Sequence, residues 1–467
     1  MAIITSYYSG ENYGLLGPQL AASIVQEHTD VDCIVVAVNN EDDKTMLQSA
    51  LADYFGSQAP MIGFSLLSGR EDLFAFAKTL RERGAKTILG GPQAAFDYKG
   101  EIGWQKFPHR FHGLSEHFSC AFAGPAEQII PWIQMRDDET TLQKTEGLLY
   151  RDTKSCVKEN PVKQWEWKYF NRVRWNNLYV PAGKRLQRHP VQTAQILQQI
   201  GCPHASRIRQ LEIDYPSAVS LPAKEKIAVP VRGCSFCDVA ADKGFCGNLD
   251  DDVVLSQIRW LPENADGGKI PFELINENPL PSLPRLLRRL RQENIPISQI
   301  NLIMRADWFL AGKEHLKSAL NIASEMNARI LLASMGFEAF DDTLLRNFNK
   351  GYKLQTNIEA IKLMRQLKEM FPETWRYANR EGGIHGYIHP TPWDTKETDA
   401  NTQKVFAIYG LANDILPRHS TPLIIHHASS LGDWIRAVED RVGIQYRRFG
   451  AIIGWWDDGG GPEVDPK

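Results

Sequence analysis

The chain has 467 residues, of which 43% are hydrophobic and 23% are charged, a composition typical of globular proteins with sizeable cores. This length exceeds one ordinary domain and predicts two or three. Lys and Arg total 53 against 56 for Asp and Glu, a formal net charge of −3, so the charge gives no reason to expect binding to nucleic acid or to an anionic membrane.

The cellular compartment is predicted from the first residues and from the cysteines. The opening MAIITSYYSG lacks the basic and the long apolar regions of a signal peptide, and no apolar run in the chain is long enough to span a bilayer. The seven cysteines are odd in number and scattered, which is not typical of a disulfide framework. We therefore expect a cytoplasmic protein, in which clustered thiols serve metal binding or catalysis.

Residues 1–135 alternate between strand and helix patterns. Five apolar stretches predict buried parallel strands: IITSYY, DCIVVAV, MIGFSLLSG, KTILGGPQAA and HFSCAFAG. Gly17-Pro18 opens one predicted helix, because a proline in the first turn needs no amide donor. Five strands with intervening helices predict a doubly wound, Rossmann-like α/β domain, which binds ligands at the carboxyl ends of its strands.

Small and polar residues follow these predicted strands. Six candidate ligand contacts fall at strand ends: Ser65, Leu66, Gly90, Gly91, Gly124 and Glu127. Glycine lets a backbone approach a bulky ligand closely. Taken alone, Gly90-Gly91 is better explained as a tight turn, so this domain by itself leaves the ligand open.

Residues 136–225 have a looser pattern and are predicted to form a connector. EGLLYRDTKSCVKENP indicates a small hairpin, an aromatic stretch follows it, and residues 193–200 are predicted as a polar helix.

A second alternation occupies residues 226–414. Its predicted strands are KIAVPV, PFELIN, QINLIM, RILLAS and IHGYIHP, with PLIIHH as a further strand in the C-terminal segment 415–467. Helical patterns separate them, and βα units of this length predict a partial or full (β/α) barrel, whose chemistry lies where strands run into loops. Functional side chains do follow these strands: the cysteine loop, Glu277, Arg305, residues 336–338 and Pro392-Trp393.

The cysteine loop, RGCSFCDVAADKGFC, carries Cys234, Cys237 and Cys246. Cys234 and Cys237 can bind two corners of a tetrahedral zinc ion or two irons of a cluster. A zinc ion would need further ligands, which Cys202, His204 or Cys246 could supply. An iron–sulfur cluster held by three cysteines keeps one iron open for substrate. A cluster is favoured, with zinc and inert buried thiols as the alternatives.

Residues 1–135 followed by 226–410 resemble cobalamin-dependent radical S-adenosylmethionine (SAM) enzymes. The resemblance is carried in the first part by IGFSLLSGREDLFAFAKTLRERGAKTILGGPQAAF and FAGPAEQIIPWI. In the second part it is carried by RGCSFCD, PFELINENPL, INLIMRADW, MGFEAFDDTLLRNFNKG and IHPTPWDTKETDANT. It covers roughly 70% of the chain and is specific in combination rather than piece by piece. It implies a cobalamin-binding domain followed by a radical SAM barrel, with three cofactors: a [4Fe–4S] cluster, SAM and cobalamin.

The resemblance also implies roles for particular residues. Cys234 and Cys237 would ligate the cluster, and Phe236 would lie near the adenine of SAM. Glu277 would hold the SAM amino group, and Arg305 would meet the same cofactor. Glu338, with Gly336, Phe337 and Pro392-Trp393, would shape the pocket wall. Ser65, Leu66, Gly90 and Gly91 would line the corrin and its nucleotide tail, beside Gly124 and Glu127. From the residues alone, the less favoured alternatives are a solvated loop carboxylate for Glu277 and a salt bridge to Asp307 or another neighbour for Arg305.

The chain departs from the family pattern in two places. The family has C-x3-C-x2-C, whereas here Arg-Gly-Cys runs directly into Ser-Phe-Cys, so one cluster ligand is missing from its usual place. Cys246 is the nearest substitute, because a loop of eight residues can fold back to a cluster, and Cys202 is a more distant candidate. The chain also lacks the Asp-x-His-x-x-Gly element that supplies a histidine to cobalt in another cobalamin-binding class, so no lower cobalt ligand is assigned.

The activity implied is methylation of an unactivated carbon through a 5′-deoxyadenosyl radical and methylcobalamin, with the cofactors supplying the chemistry. Alternatives are a rearrangement, a polar methylation, or a corrinoid-binding protein that is stabilised by zinc and is no longer a radical enzyme. The expected partners are a small-molecule or peptide substrate and an external electron donor such as a flavodoxin or ferredoxin. The segment 415–467 is predicted to cap the barrel or contact the substrate.

Overall fold

The computed structural model of the protein describes residues 1–7, 13–56, 61–66, 69–135, 139–162, 166–219, 225–237, 247–417, 420–455 and 464–465. The chain divides into two compact units, one formed by Met1–Gln195 with Arg448–Ile452 and the other by Ile196–Arg447 with Ile453–Lys467. Within the described ranges, no helix combines the length and apolar character that crossing a membrane requires.

The first unit is built on a single mixed sheet. Its strands are β1 (Ala2–Ser6), β2 (Ile34–Val38), β3 (Met61–Ser65), β4 (Lys86–Gly90), β5 (Cys120–Phe122), β6 (Leu148–Arg151), β7 (Val157–Glu159), β8 (Leu178–Ala182) and β9 (Arg185–Arg188). Among the described residues they follow the order β7-β6-β5-β4-β3-β1-β2-β8-β9. Strands β1 to β5 are parallel, and β2 and β3 lie on opposite sides of β1. The strand order 2-1-3-4-5 is that of flavodoxin-like doubly wound sheets, whose ligands bind where the order reverses.

Helices cover this sheet as the apolar periodicity predicts. They are α1 (Leu16–His28), α2 (Lys44–Phe55), α3 (Glu71–Glu82), α4 (Ala94–Lys99), α5 (Ile129–Met135) and α6 (Glu139–Lys144). In α3, Leu73, Phe76, Ala77 and Leu80 recur at helical spacing and all are buried. They pack into one apolar cluster with the inner residues of β1 to β4, such as Ile4 and Phe64. The predicted α/β pattern of the first 135 residues is therefore confirmed.

The segment predicted as a connector contributes strands of its own. Strands β6 and β7 form the predicted hairpin and extend the sheet antiparallel beyond β5, while β8 and β9 extend it beyond β2. The polar helix predicted at 193–200 is wrong: this stretch forms the strands β10 (Ala194–Leu197) and β11 (Gln199–Ile200). Ala194 and Ile196 are buried and their neighbours half-buried, a period of two that outweighs the helix propensity of the glutamines.

The second unit contains a parallel sheet and an antiparallel ribbon. Its further strands are β12 (Ile208–Asp214), β13 (Lys226–Arg232), β14 (Gly247–Asn248), β15 (Phe272–Ile275), β16 (Gln299–Met304), β17 (Arg329–Glu338), β18 (Trp375–Arg376), β19 (Gly386–Tyr387), β20 (Ile424–His426), β21 (Gln445–Tyr446), β22 (Ile452–Gly454) and β23 (Val464–Asp465). Strands β15 to β19 pair in parallel. They include the predicted PFELIN, QINLIM, RILLAS and IHGYIHP.

The strand that leads into the cysteine loop differs from its prediction. KIAVPV was expected to be the first strand of the parallel barrel, but β13 pairs antiparallel with β12 over seven residues, from Ile208↔Arg232 to Asp214↔Lys226. The alternation of β13, with Ile227, Val229 and Val231 buried and Ala228 and Pro230 exposed, suits a ribbon with one covered face.

The helices of the second unit lie between these strands. They are α7 (Asp251–Arg259), α8 (Leu283–Gln292), α9 (Ala306–Ala311), α10 (Lys313–Glu325), α11 (Asp342–Asn347), α12 (Leu354–Met370), α13 (Lys396–Tyr409) and α14 (Ser430–Val442). The buried face of β13 packs with α11 and α14 residues, including Leu345 and Trp434, into an apolar cluster. Phe236 of the cysteine loop packs against this cluster, which therefore helps to hold the loop in place.

Candidate functional site

The cysteine loop begins at Gly233, directly after β13. Gly233 has φ +73, a left-handed conformation that glycine adopts without strain, and its carbonyl accepts a 2.7 Å hydrogen bond from Asn349 Nδ2. Ser235 is fully buried and is tied by its backbone amide to Phe348 O at 3.0 Å and by its hydroxyl to Asn347 O at 2.7 Å. Ser235 therefore anchors the loop, and Cys234 and Cys237 on either side of it are left partly exposed.

Cys202 lies beside this loop on a different segment. It precedes a short 3-10 helix, Pro203–Ser206, whose Ala205 approaches Gly233 so closely that a Cβ at Gly233 would be 3.1 Å from the Ala205 Cβ. Burial, together with the nearby Glu277 carboxylate and Cys234, raises the pKa of the Cys202 thiol to about 11. A thiol with a raised pKa, such as that of Cys202, becomes a thiolate ligand more readily when a metal cation binds beside it.

Cys246, the predicted third cluster ligand, lies outside the described residues. The structure does place Gly247, the next residue along the chain: it pairs antiparallel with Ile200, two residues before Cys202. The described end of the cysteine loop and the Cys202 segment are thus joined by the β11–β14 pairing.

Arg305 follows β16 and is buried against Cys234. It forms a bidentate ion pair with Asp307, in which Nε and Nη2 lie 3.0 and 3.1 Å from the two carboxylate oxygens. This pairing is the alternative role that the residues alone indicate for Arg305. Its Nη1 lies 3.5 Å from Cys234 Sγ, and its Nη2 also donates to the Lys350 carbonyl. Cys234 and Asp307 raise the pKa of Arg305 against the opposing effect of burial. Arg305 is therefore a fixed cation beside a candidate cluster ligand.

Lys350 is a second buried cation, which the sequence patterns do not predict. Its side chain is 2% exposed, and its Nζ lies 3.4 Å from Glu338 Oε1. Burial disfavours the charged form, but Cys234 and Glu338 outweigh burial and hold the pKa of Lys350 above its ordinary value. The only sequence signal was its place in NFNKGY, directly after the helix α11, where a surface lysine is the ordinary expectation.

Glu338 reaches Lys350 from an unusual backbone position at the end of β17. Its φ of +61 is left-handed, which is uncommon outside glycine. Its carboxylate passes between two glycines: a Cβ at Gly336 would lie 2.7 Å, and one at Gly386 2.6 Å, from a Glu338 carboxylate oxygen. Tyr352 closes this side, donating to Gly336 O at 3.0 Å and facing the Lys350 ammonium 5.8 Å from its ring centre.

Glu277 follows β15 and is half-buried near Cys202. Its backbone amide donates to Gln199 Oε1 at 3.2 Å, which ties the end of β15 to the segment that carries Cys202. The candidate residues Cys234, Cys202, Glu277, Arg305 and Glu338 thus come together around the cysteine loop.

Two aromatic residues of the predicted pocket have packing roles. Phe236 stands edge-on to Phe348, with ring centres 5.3 Å apart. Trp393, expected in the pocket wall, is buried, with ring contacts to Phe348 and Trp434 and its Nε1 donating to Asp214 O at 2.9 Å. Trp393 is therefore a residue of the apolar core.

In the first unit, Ser65 and Gly90 are direct neighbours at the carboxyl ends of β3 and β4. Leu66 is buried beside them, and Gly91 is exposed with φ +108. Among the described residues, a Cβ at Gly90 would meet only Phe64 O, at 3.8 Å. The two glycines leave the backbone at the carboxyl ends of β3 and β4 without side chains of their own.

Gly124 and Glu127 have local packing explanations. A Cβ at Gly124 would lie 2.5 Å from Val162 Cγ1, so the contact with Val162 already requires glycine. Glu127 is buried and its Oε1 accepts a 3.2 Å hydrogen bond from the Glu166 amide.

The remaining described cysteines belong to the first unit. Cys33 and Cys120 are buried in the first unit, and burial raises the pKa of each thiol to about 12. Cys156 is exposed on the β6–β7 hairpin. All of the described cysteines are free thiols.

Solved structures of two enzymes resemble the chain. TsrM from Kitasatospora setae, a radical SAM methyltransferase solved with its tryptophan substrate and a SAM analogue, aligns with 99% of this chain and 79% of its own at 16% identity, with a TM-score of 0.58. A second TsrM structure contains cobalamin and a [4Fe–4S] cluster. OxsB, a cobalamin-dependent SAM radical enzyme solved with aqua-cobalamin and SAM, aligns with 95% of this chain at 12% identity and a TM-score of 0.57.

The chain spans 62% of the length of OxsB, less than two thirds. No protein-family model matches the sequence, and no curated protein matches it in a sequence comparison. At 12–16% identity these likenesses concern the fold. The chain has the α/β fold, with parallel sheets, of cobalamin-dependent radical SAM enzymes, as the resemblance in its sequence predicted.

Proposed function

We propose that the chain is a cobalamin- and SAM-dependent radical enzyme that methylates an unactivated carbon of a small molecule or peptide. The observation that carries the proposal is the convergence of Cys202, Cys234 and Cys237 with Glu277 and two buried cations in the second unit of this fold. When bound, the cluster and SAM supply a radical that removes a hydrogen atom, and cobalamin supplies the methyl group.

A single zinc ion is the alternative to a cluster at these thiols. Zinc with sulfur ligands at about 2.3 Å needs its donors within about 4 Å of one another. Among the described residues, no cysteine belongs to any group of three ligand atoms that lie within 4.8 Å of one another. His204, a further candidate zinc ligand, has its Nε2 2.8 Å from Asn349 O. Metal analysis therefore decides between zinc and a cluster.

The residues of the chain take the following roles in this proposal. Cys234, Cys237 and Cys246 bind the cluster. Glu277 holds the SAM amino group, and Phe236 lies near the adenine. Arg305 and Glu338 form the charged wall of the site. In the first unit, the strand ends at Ser65, Leu66, Gly90 and Gly91 admit cobalamin, beside Gly124 and Glu127. An external flavodoxin or ferredoxin supplies the electron.

Anaerobic purification with iron, sulfide, zinc and corrinoid analysis tests the proposal. The expected result is about four irons and four sulfides per chain, absorbance that dithionite bleaches, and release of 5′-deoxyadenosine from SAM. Stoichiometric zinc without sulfide would contradict it and favour a corrinoid-binding protein with a structural zinc site.

Replacing Cys246 or Cys202 by alanine identifies the third ligand. We expect Cys246→Ala to lose most of its cluster iron and Cys202→Ala to keep it. The reverse pattern, measured as iron and sulfide per chain in parallel preparations, would transfer the role to Cys202.

A further inference from the structure

The ion pair between the buried Lys350 and the half-buried Glu338 is expected to contribute little to the free energy of unfolding. Removing two charges from water costs several kcal/mol per ion, and their mutual attraction often does no more than offset this. Here the chain adds a left-handed φ of +61 at Glu338 and two glycines that leave room for its carboxylate. Strain of this kind persists where the surroundings impose it, and it is concentrated at functional sites.

The position of the pair suggests what it does. Arg305, 6% exposed, has its Nη1 3.5 Å from Cys234 Sγ and its Nη2 on the Lys350 carbonyl, so the backbone of Lys350 is tied to the cation that touches the sulfur. The two ring faces of Trp308 and Tyr352 hold the Arg305 guanidinium at 5.1 and 5.3 Å. Arg305, paired with Asp307, therefore contacts the cysteine sulfur directly. Lys350, paired with Glu338, is linked to Arg305 through its backbone carbonyl and interacts electrostatically with Cys234.

Iron–sulfur clusters respond to such surroundings. Their reduction potentials depend on net charge, on hydrogen bonds to the sulfurs and on solvent exposure. Adding one electron makes a cluster more negative, so nearby buried cations stabilise the reduced form and nearby anions destabilise it. Inside a protein such charges are weakly screened and act strongly.

We propose that Lys350 and Glu338 set the reduction potential of the cluster held at Cys234, Lys350 raising it and Glu338 lowering it, with Arg305 as the hydrogen-bond donor to the ligand sulfur. Lys350 acts on the cluster through its charge and is not one of the proposed ligands. The reaction concerned is one-electron reduction, in which the cluster gains one electron from an external donor and no bond to the protein forms or breaks. The inference rests on the proposed function, because it requires a cluster.

The test compares variants of opposite sign in the full-length chain. After reconstitution with iron and sulfide, the midpoint potential is measured without SAM by a dithionite titration followed by electron paramagnetic resonance. We expect Lys350→Met to lower the ratio of reduced to oxidised cluster at least tenfold at a fixed potential, about 59 mV for a one-electron couple. Glu338→Gln is expected to shift the midpoint in the opposite direction, because it keeps the cation and removes the anion.

Two controls separate charge from structure. Lys350→Arg keeps the charge and is expected to keep the wild-type potential. Lys362→Met removes the same charge from the exposed face of α12 and is expected to change nothing. If Lys350→Met fails to hold a cluster, Glu338→Gln alone decides the sign.

Unchanged midpoints in Lys350→Met and Glu338→Gln, or shifts in the same direction, would overturn the inference while leaving the proposed function intact. A wild-type chain that binds no iron and sulfide would end both.

Discussion

The two units offer ligands two different kinds of surface. In the first unit, the carboxyl ends of β3 and β4 carry the small residues Ser65, Gly90 and Gly91, so the described side chains there cover little of the backbone. In the second unit, the strand ends carry Glu277, Arg305 and Glu338, and the last two form ion pairs in which one partner, Arg305 or Lys350, is buried. A bulky ligand with many groups of its own needs room, whereas a small charged centre needs fixed charges around it.

Breaking the charged site is expected to have the largest effect. Cys234→Ser removes the sulfur that lies 3.5 Å from Arg305, and a serine hydroxyl is a poor cluster ligand. We expect cluster iron to fall from about four per chain to below one. Iron and sulfide analysis after anaerobic reconstitution measures this.

Cys156→Ser, which changes an exposed thiol of the first unit, is the matched control and is expected to keep its iron. Full iron content in Cys234→Ser would remove Cys234 from the ligand set.

The stability of the second unit is also expected to depend on pH, because of a buried histidine that is not one of the charged site residues. His385 is buried, with the Met335 amide 3.1 Å from its Nδ1 and the Tyr377 carbonyl 2.9 Å from its Nε2. Burial lowers the pKa of His385 from 6.5 to about 4. The folded state therefore resists protonation that the unfolded state accepts, so this stability is complete above pH 6.5 and is lost as the pH falls towards 4.

The loss is expected to be about 3 kcal/mol of unfolding free energy across that window. Urea unfolding at pH 7.5 and at pH 4.5 measures it, comparing wild type with His385→Asn. His315→Asn, at an exposed histidine of the same unit, is the control. An equal loss of stability in wild type and His385→Asn would show that other groups cause the acid sensitivity.

Filling the strand ends of the first unit is expected to have the smallest effect of the three. Gly90→Leu adds a side chain at a strand end where, among the described residues, a Cβ would have only Phe64 O within 4 Å. The added side chain is expected to block a ligand that approaches the backbone there. We expect cobalamin affinity to weaken at least tenfold, about 1.4 kcal/mol. Absorbance titration with hydroxocobalamin measures the affinity.

Gly17→Leu, at a glycine of α1 whose Cβ would meet none of the described residues within 4 Å, controls for the added bulk. Unchanged cobalamin affinity in Gly90→Leu would move the ligand away from these strand ends.

The fold was predictable where single stretches carry the information. The strands β1 to β5 and β15 to β17 are short apolar runs that any sheet of parallel strands must bury, and α3 shows its apolar face in four residues. The pairing of β13 with β12 was not predictable, because both a ribbon and a barrel strand bury alternate residues and the choice depends on the partner.

The positions of the candidate site residues were easier to predict than the charges around them. Cys234, Cys237 and Glu277 follow strands, as expected from the sequence, and their roles as ligands stay a prediction. Lys350 was not predictable, because nothing in its neighbourhood distinguishes a buried lysine from a solvated one. Its partner Glu338 lies on another element, the strand β17. Arg305 is 71 residues from Cys234 in sequence, so only the folded chain brings Arg305 and Cys234 together.

The β12–β13 ribbon has a consequence for the order of folding. It joins Ile208–Asp214 to Lys226–Arg232 and borders the 3-10 helix Pro203–Ser206, so pairing within one short stretch of chain holds the segments of Cys202, Cys234 and Cys237 near one another. Contacts between residues that are close in sequence form faster than distant ones. We expect this ribbon to bring the three cysteines together before Arg305 and Lys350, which come from far along the chain, pack beside them.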